Sequence, residues 1–324
     1  MPPLSVVNRT RRAWIPQIPC VVVACLASLL ADAAPAQQAA IVPARPAALQ
    51  VQQVRPGFSL VSGAGGNVLV WSGAEGIVLV DTGLANRAPE LLETVARIAP
   101  GALRFVVNTH AHVDHTGGNE AAATRGAVIV GHDRLRERSG LDASATAAGA
   151  PEGSDAGAAA EALPGVTTAD RVSLHVNGDR LDVVHVADAH TAADLVVRWT
   201  DANVVALGDV FWNGQYPYID VAAGGSLVGL VAAVEGSLAR VNVQTAIVPG
   251  HGAVATRAQL SAYRDMLVAV GRKVREAVER GEGLQQLQAA HPTAEFDAEY
   301  FRAGASITPD DFVRNLYEDV ARRR

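Results

Sequence analysis

The segment from Arg104 to Asn119 constrains the fold more than any other. An apolar run, Arg104-Phe-Val-Val-Asn-Thr109, leads straight into His110-Ala-His112-Val-Asp114-His115 and then into Thr-Gly-Gly-Asn119. Four residues of metal-ligand type therefore occupy six positions. In an extended segment, residues two apart share a face, so His110 and His112 can converge on one metal. Asp114 and His115 fall where the strand gives way to a glycine-containing turn and a helix start, so they can turn towards a second centre. Imidazole nitrogen and carboxylate oxygen are both good zinc ligands. Six positions cannot close the coordination shells of two metals. The chain must fold so that other segments end beside this one.

Three further residues stand just beyond predicted strands. His190 follows Val183-Val-His-Val-Ala-Asp-Ala189, Asp209 follows Val204-Val-Ala-Leu-Gly208, and His251 lies in Val248-Pro-Gly-His-Gly252. Their common position makes chance a poor account. His132, His175, His185 and His291 have no such context, and His185, alternating with Val184 and Val186, reads as a packed or hydrogen-bonded histidine. Trp71 reads as core, and Glu282 and the arginines at 322–324 as solvated charge.

Short β-branched runs separated by glycines predict strands at Phe58-Ser-Leu-Val-Ser62, Asn67-Val-Leu-Val-Trp71 and Gly76-Ile-Val-Leu-Val-Asp81. Leu91, Leu92, Val95 and Ile98 recur at helical spacing until Pro100-Gly101 stops them, which predicts a helix over 85–98. A short helix at 119–124 and a strand at 127–130 follow. In the second half, strands are predicted at 171–176, 181–186, 194–199, 204–207 and 245–248, with helices at 227–239, 257–282 and 309–322. Two strand-rich halves, each ending in helices, point to two sheets with helices outside them. Between Ser139 and Pro164 the composition collapses to Ala, Gly, Ser and acidic residues, which reads as a mobile surface insertion.

The N-terminus reads differently. Arg9, Arg11 and Arg12 precede an apolar run from Ile18 to Leu30, and small residues follow from Ala31 to Gln37. This order is that of a secretory signal peptide at 1–36, cleaved after Ala36. The apolar run is too short to span a bilayer, which takes roughly 20 residues. Two rival features lie in it: Thr10-Arg11-Arg12-Ala13-Trp14-Ile15 resembles a twin-arginine signal, and Val22-Val23-Ala24-Cys25 resembles a lipoprotein box. The box is the weaker reading, since apolar residues continue past Cys25. The organisation expected is a signal peptide, a linker at 37–56 and a single domain at 57–324, exported to the periplasm or secreted. Cys20 and Cys25, the only two cysteines, both fall in the leader, so any metal in the mature chain must be bound by nitrogen and oxygen.

A net charge of -6 across 324 residues, with no run of Lys and Arg, gives no nucleic-acid footprint and otherwise says little about partners; the partner expected is a small-molecule substrate. It leaves the oligomeric state open.

Taken together, Asp81-Thr-Gly83, the His110 to His115 motif, Ala189-His190-Thr191 with Asp194, Gly208-Asp209 and Gly250-His251-Gly252 resemble the metallo-β-lactamase-fold hydrolase superfamily over 58–252. The resemblance implies an α/β fold, the αββα four-layer sandwich of that family. It also implies two zinc ions, one held by His110, His112 and His190 and one by Asp114, His115 and His251. Asp209 would bridge them, and Asp81 would be a buried carboxylate orienting ligand histidines. A metal-bridging hydroxide, oriented by Asp114, would attack a carbonyl carbon of a small ester, thioester, lactone or amide.

The family's branches can be tested on the same residues. Flavodiiron oxidoreductases carry Glu where this chain has His112. One β-lactamase branch needs a cysteine ligand, and another lacks the bridging carboxylate. A bridging Asp is the pattern of the glyoxalase-like thioesterases and lactonases. A periplasmic β-lactamase is the alternative enzyme, and a non-catalytic metal-binding protein on the same scaffold is the alternative outside catalysis. The loop after Asp209 offers Asn213, Tyr216 and Tyr218 as candidate substrate contacts, against the alternative that its aromatics wedge the loop onto the core. Thr191 and Asp194 read as loop-shaping.

Overall fold

Side-chain alternation decides the layering of this protein. In the computed structural model, which describes residues 48–137 and 162–323, strands β3 (Val68–Gly73) and β4 (Gly76–Val80) are apolar on both faces. Leu69, Trp71, Val78 and Val80 point one way, and Val68, Val70, Ile77 and Leu79 the other. Strands of this kind must be covered on both sides. They sit in a seven-stranded sheet ordered β1-β2-β3-β4-β5-β6-β7, with β1 (Gln50–Arg55), β2 (Phe58–Ser62), β5 (Leu103–Val107), β6 (Val128–His132) and β7 (Val166–Thr168). A five-stranded sheet faces it, ordered β12-β11-β10-β9-β8, with β8 (Arg171–Val176), β9 (Asp179–Val186), β10 (Asp194–Trp199), β11 (Val204–Ala206) and β12 (Ala246–Val248).

The core between the sheets is built on Phe58, Trp71 and Trp199, whose rings lie 5.2 to 5.7 Å apart. Helices α1 (Ala88–Ile98) and α3 (Asn119–Thr124) cover the outer face of the first sheet, separated in sequence by the single turn α2 (Val113–Thr116). The second sheet is covered by α4 (Leu227–Leu238), α5 (Arg257–Glu279) and α8 (Pro309–Arg322), with the short α6 (Leu284–Ala289) and α7 (Asp297–Tyr300) between the last two. The result is the αββα four-layer sandwich. No helix among the described residues is long and apolar enough to cross a membrane.

Three local expectations change. Residues 50–55, expected within the linker at 37–56, form β1, paired antiparallel with β2 from Gln50↔Ser62 to Arg55↔Phe58. An edge strand needs only one partner, and its exposed glutamines hide the period-2 signal. Helix α5 stops at Glu279 rather than Glu282, because Gly281 (φ 79°) takes the left-handed position just past the end. Of the stretch at 139–164, residues 162–164 are packed, and Ala162 accepts a hydrogen bond from Asn119. The rest of it, like the expected leader with Cys20 and Cys25, lies outside the described residues.

Strand direction gathers the chemistry at one edge. β4 and β5 are parallel, so Asp81 and the segment from Asn108 to His110 leave the first sheet together. In the second sheet β11 and β12 are parallel, and β9 runs the same way because each of them is antiparallel to β10 or parallel to its partner. The carboxyl ends of β9, β11 and β12 therefore carry His190, Asp209 and His251 to a common rim. The two sheets are tied there. Leu195 N–H donates to Thr109 O at 2.7 Å, and Asn67 clasps the His251 loop by donating its side chain to Pro249 O (2.9 Å) and Gly252 O (2.8 Å).

Candidate metal centre

Seven side chains from four segments of the chain converge in two groups. In the first, His110 Nε2 and His190 Nε2 lie 3.1 and 2.9 Å from His112 Nδ1, and Asp209 Oδ2 lies 3.8 Å from His110 Nε2 and 3.6 Å from His190 Nε2. In the second, His115 Nε2 is 3.5 Å from Asp114 Oδ2, and His251 Nε2 is 3.4 Å from the same oxygen. Asp209 reaches this group as well, with Oδ1 3.2 Å from His115 Nε2 and 3.5 Å from His251 Nε2. A tetrahedral zinc with ligands at 2.0–2.1 Å sets its donor atoms roughly 3.3 Å apart. Both groups have that spacing.

The donor chemistry fits a cation better than a hydrogen-bond network. Nδ1 of His112 faces two other ring nitrogens while its own Nε2 donates to Asp220 Oδ2 at 3.0 Å. A neutral imidazole donates from one nitrogen only, so His112 Nδ1 offers a lone pair. His190 Nδ1 donates to Tyr218 O (2.8 Å), which leaves its Nε2 as an acceptor facing inward, and His115 Nδ1 donates to Asp81 Oδ2 (2.8 Å), so its Nε2 is the nitrogen that a metal would deprotonate and bind. Thr109 settles His110 the same way. Its hydroxyl donates to Asp81 Oδ2 (2.8 Å), so it accepts from His110 Nδ1 (3.0 Å). Two buried atoms, His115 Nε2 and Asp209 Oδ1, face each other at 3.2 Å without good hydrogen-bond geometry and have no other hydrogen-bond partner among the described residues. Buried polar atoms without partners are costly, and a bound cation satisfies both.

Backbone geometry prepares these positions. Asp81 adopts φ 64°, a conformation rare outside glycine, which lets its carboxylate turn back to accept from Thr109 N–H at 2.7 Å. Gly208 (φ 51°) leaves no room for a side chain against Thr109, and a side chain at Gly250 would collide with Asp209 Oδ1.

Charge within the cluster is polarised. Burial is the largest influence on Asp209 and would raise its pKa, yet His251, His115 and His110 hold it well below the usual carboxylate range. Burial lowers His110 well below its usual value and takes His190 to about 4. His115 and His251 go the other way. Burial opposes their charged forms, but Asp209 and Asp81 raise His115 well above normal, and Asp209 and Asp114 bring His251 to about 9. Burial raises Asp81 despite His115 beside it.

The remaining sequence candidates divide. Tyr218 stands at the rim, 39% exposed, with its ring 6.5 Å from His112 and 6.2 Å from His190. Tyr216 does not reach the rim. It is fully buried, stacked on Phe312 at 4.9 Å, and its hydroxyl donates to Asp297 Oδ1 at 2.8 Å, because the loop turns this ring under α8. Asn213 is engaged structurally, donating its amide to Ala253 O at 2.9 Å beside the His251 loop. Thr191 donates from backbone and hydroxyl to Asp194, whose pKa burial lifts to about 7. His185 donates to Ala192 O and its ring lies 4.2 Å from that of His132, outside both groups, while His175 and His291 are exposed.

Asp220, Thr109, Asn67 and Trp212, the last with its ring 4.2 Å from His251, were not singled out by sequence. Only Asp220 left a signal: it is a single carboxylate in an aromatic loop that begins at a candidate ligand.

Comparison with known proteins agrees with this geometry. The family model described as Metallo-beta-lactamase superfamily matches residues 63–251. A metallo-beta-lactamase type 2 from Bacillus sp. (strain 170) is 27% identical over 202 residues, 62% of this chain and 72% of that protein. A hydroxyacylglutathione hydrolase from Anaeromyxobacter dehalogenans (strain 2CP-C) is 27% identical over 149 residues, 46% of this chain and 48% of that protein. Among solved structures, a metallo-beta-lactamase from Pontibacter korlensis superposes with a TM-score of 0.55 at 23% identity, over 68% of this chain and 99% of its own. The sec-alkylsulfatase Pisa1 from Pseudomonas sp. gives 0.59 at 18% identity, over 83% and 50%. At those identities the structural likeness is one of fold.

Proposed function

The chain belongs to the metallo-beta-lactamase superfamily, and we propose that it is an exported hydrolase that holds two zinc ions and cleaves a small ester, thioester, lactone or amide. One observation carries the reading. Asp209 presents Oδ2 to His110 and His190 and Oδ1 to His115 and His251, so a single carboxylate faces both groups. His110, His112 and His190 would hold one ion, Asp114, His115 and His251 the other, with Asp209 shared. Zinc bound there would act as a Lewis acid on the carbonyl and make water a nucleophile near neutral pH.

The chain's own residues would do the rest. Asp81 and Asp220 keep the ring nitrogens of His115 and His112 pointed inward. Asp114 is the more open of the two central carboxylates, with its side chain 29% exposed against 3% for Asp209. It would help to orient the attacking nucleophile. Tyr218 provides an aromatic wall for the acyl group. The leader at 1–36 would route the chain to the periplasm or the medium.

Hydrolysis of β-lactams is the second reading. It is favoured by the 27% identity to the Bacillus enzyme over 72% of that protein's length, while the shared carboxylate supports the acyl-hydrolase reading. A panel of a glutathione thioester, an acyl lactone, an aryl ester and nitrocefin, assayed on one zinc-loaded preparation, tests the proposal. Turnover of one acyl substrate, lost on chelation and restored by zinc, is the expected result. Preference for nitrocefin selects the second reading, and zinc-loaded protein inert to all four rejects both.

A further inference from the structure

A cavity of about 390 Å³ opens between the outer face of the second sheet and helix α4, and none of the seven ligand-type residues lines it. Its floor is apolar: Val184 and Val196 are cross-strand neighbours on β9 and β10, and Val205 of β11 continues the surface towards Val241. Its roof is open because α4 presents small residues there, Gly229, Ala232 and Gly236 among them. Small residues alone would mark only close packing. The charges make the difference.

Arg198 of β10 lies half-buried in the floor beside Val205, and its guanidinium has no hydrogen bond or ion pair among the described residues. Its cross-strand neighbour Asp182, which also lines the cavity, is directed to other donors, one oxygen to Ser173 Oγ at 2.6 Å and the other to Arg180 at 2.9 Å. Arg171 and Arg240 stand at the rim, the latter donating one N–H to Gly236 O. A guanidinium drawn partly out of water without a counter-ion is unfavourable, and its fork suits a carboxylate bidentately. A volume of this size, mostly apolar with a few fixed polar groups, is that of a small-molecule site.

We propose that this cavity binds a free medium-chain carboxylate. The head group lies on Arg198, with Arg171 and Arg240 adding positive potential, and the alkyl chain runs over Val184, Val196 and Val205 beneath α4. The site is independent of the metal centre and of the reaction assigned to it.

Calorimetric titration of the full zinc-loaded chain with decanoate, and separately with decanol, tests this. Saturable one-to-one binding of decanoate is expected, with decanol at least ten-fold weaker. Arg198→Leu, which keeps apolar bulk and removes the charge, should weaken decanoate at least ten-fold. Ala232→Trp, on the exposed side of α4, should block the cavity and abolish binding without touching the arginine. Equal affinity for decanol, or binding unchanged in Arg198→Leu, overturns the proposal. Binding that survives Ala232→Trp places decanoate elsewhere, for instance on the zinc ions, and overturns it as well. Should Arg198→Leu fail to fold, the decanol comparison and Ala232→Trp still decide.

Discussion

His112 Nε2 donates to Asp220 Oδ2 at 3.0 Å, and this bond decides which nitrogen of His112 faces the other ligands. Asp220 also accepts from Ala223 N–H and so belongs to the turn that follows the aromatic loop. Asp220→Asn weakens the acceptor and adds a competing donor. It should cost 10- to 100-fold in zinc affinity at the first group, the range typical of residues that orient ligands. The second group should be nearly unaffected. Chelator competition read at both sites checks the difference.

Asp209→Ser removes the carboxylate that both groups share. Three histidines remain for the first ion, whereas Asp114, His115 and His251 lose their closest shared partner, Oδ1 at 3.2 Å from His115. Zinc content should fall from about two ions per chain to about one. Two ions retained under equilibrium dialysis would show that Asp209 is not a ligand.

Acidification should empty the second group first. In the metal-free chain Asp209 and Asp114 bring His251 to about 9, and Asp209 and Asp81 hold His115 well above its usual range, so zinc must displace protons from both. His190, near 4, and His110, lowered by burial, are already neutral at pH 7. Metal affinity falls with pH wherever ligands must deprotonate. Stepwise loss of one zinc before the other between pH 8 and about 5, with proton release on zinc addition at pH 7, would bear this out. Simultaneous loss of both would not.

Asn67→Ala cuts both hydrogen bonds that clasp the His251 loop and leaves the carbonyls of Pro249 and Gly252 short of a donor. The loss should be about 2 kcal/mol in stability. The variant should also show weaker zinc binding at the group containing His251. Denaturant titration of the apo and zinc forms separates the two effects.

The two tyrosines of the loop after Asp209 should behave oppositely. Tyr216→Phe removes a buried hydroxyl that donates to Asp297 and should cost about 1 kcal/mol of stability with little change in kcat/KM. Tyr218→Ala should raise KM and leave the melting temperature nearly unchanged, since this ring is at the rim.

The difference between these tyrosines shows what a linear reading can reach. β3 and β4 were legible because both of their faces are apolar, and the segment from His110 to His115 because its chemistry is contiguous. β1 was not, since backbone pairing with β2 alone makes it a strand. The sequence leaves two readings of Tyr216 open, because a polar aromatic in a loop has the same local signature at a pocket edge as it does stacked on Phe312, a residue of a distant helix, where the fold puts it. Asp220 and Thr109 act only through contacts that the folded chain creates. Ligand types can be read from local spacing, whereas the groups that orient them depend on tertiary neighbours.

Asp81 holds His115 directly and His110 through Thr109, from a backbone conformation that few other residues tolerate. One carboxylate thus sets a ligand in each group. For a lineage drifting from two metals to one, or from zinc to another ion, this position is a shared inheritance. Replacement there would disturb both groups at once, whereas Asp220 and Asn67 each act on one of them alone.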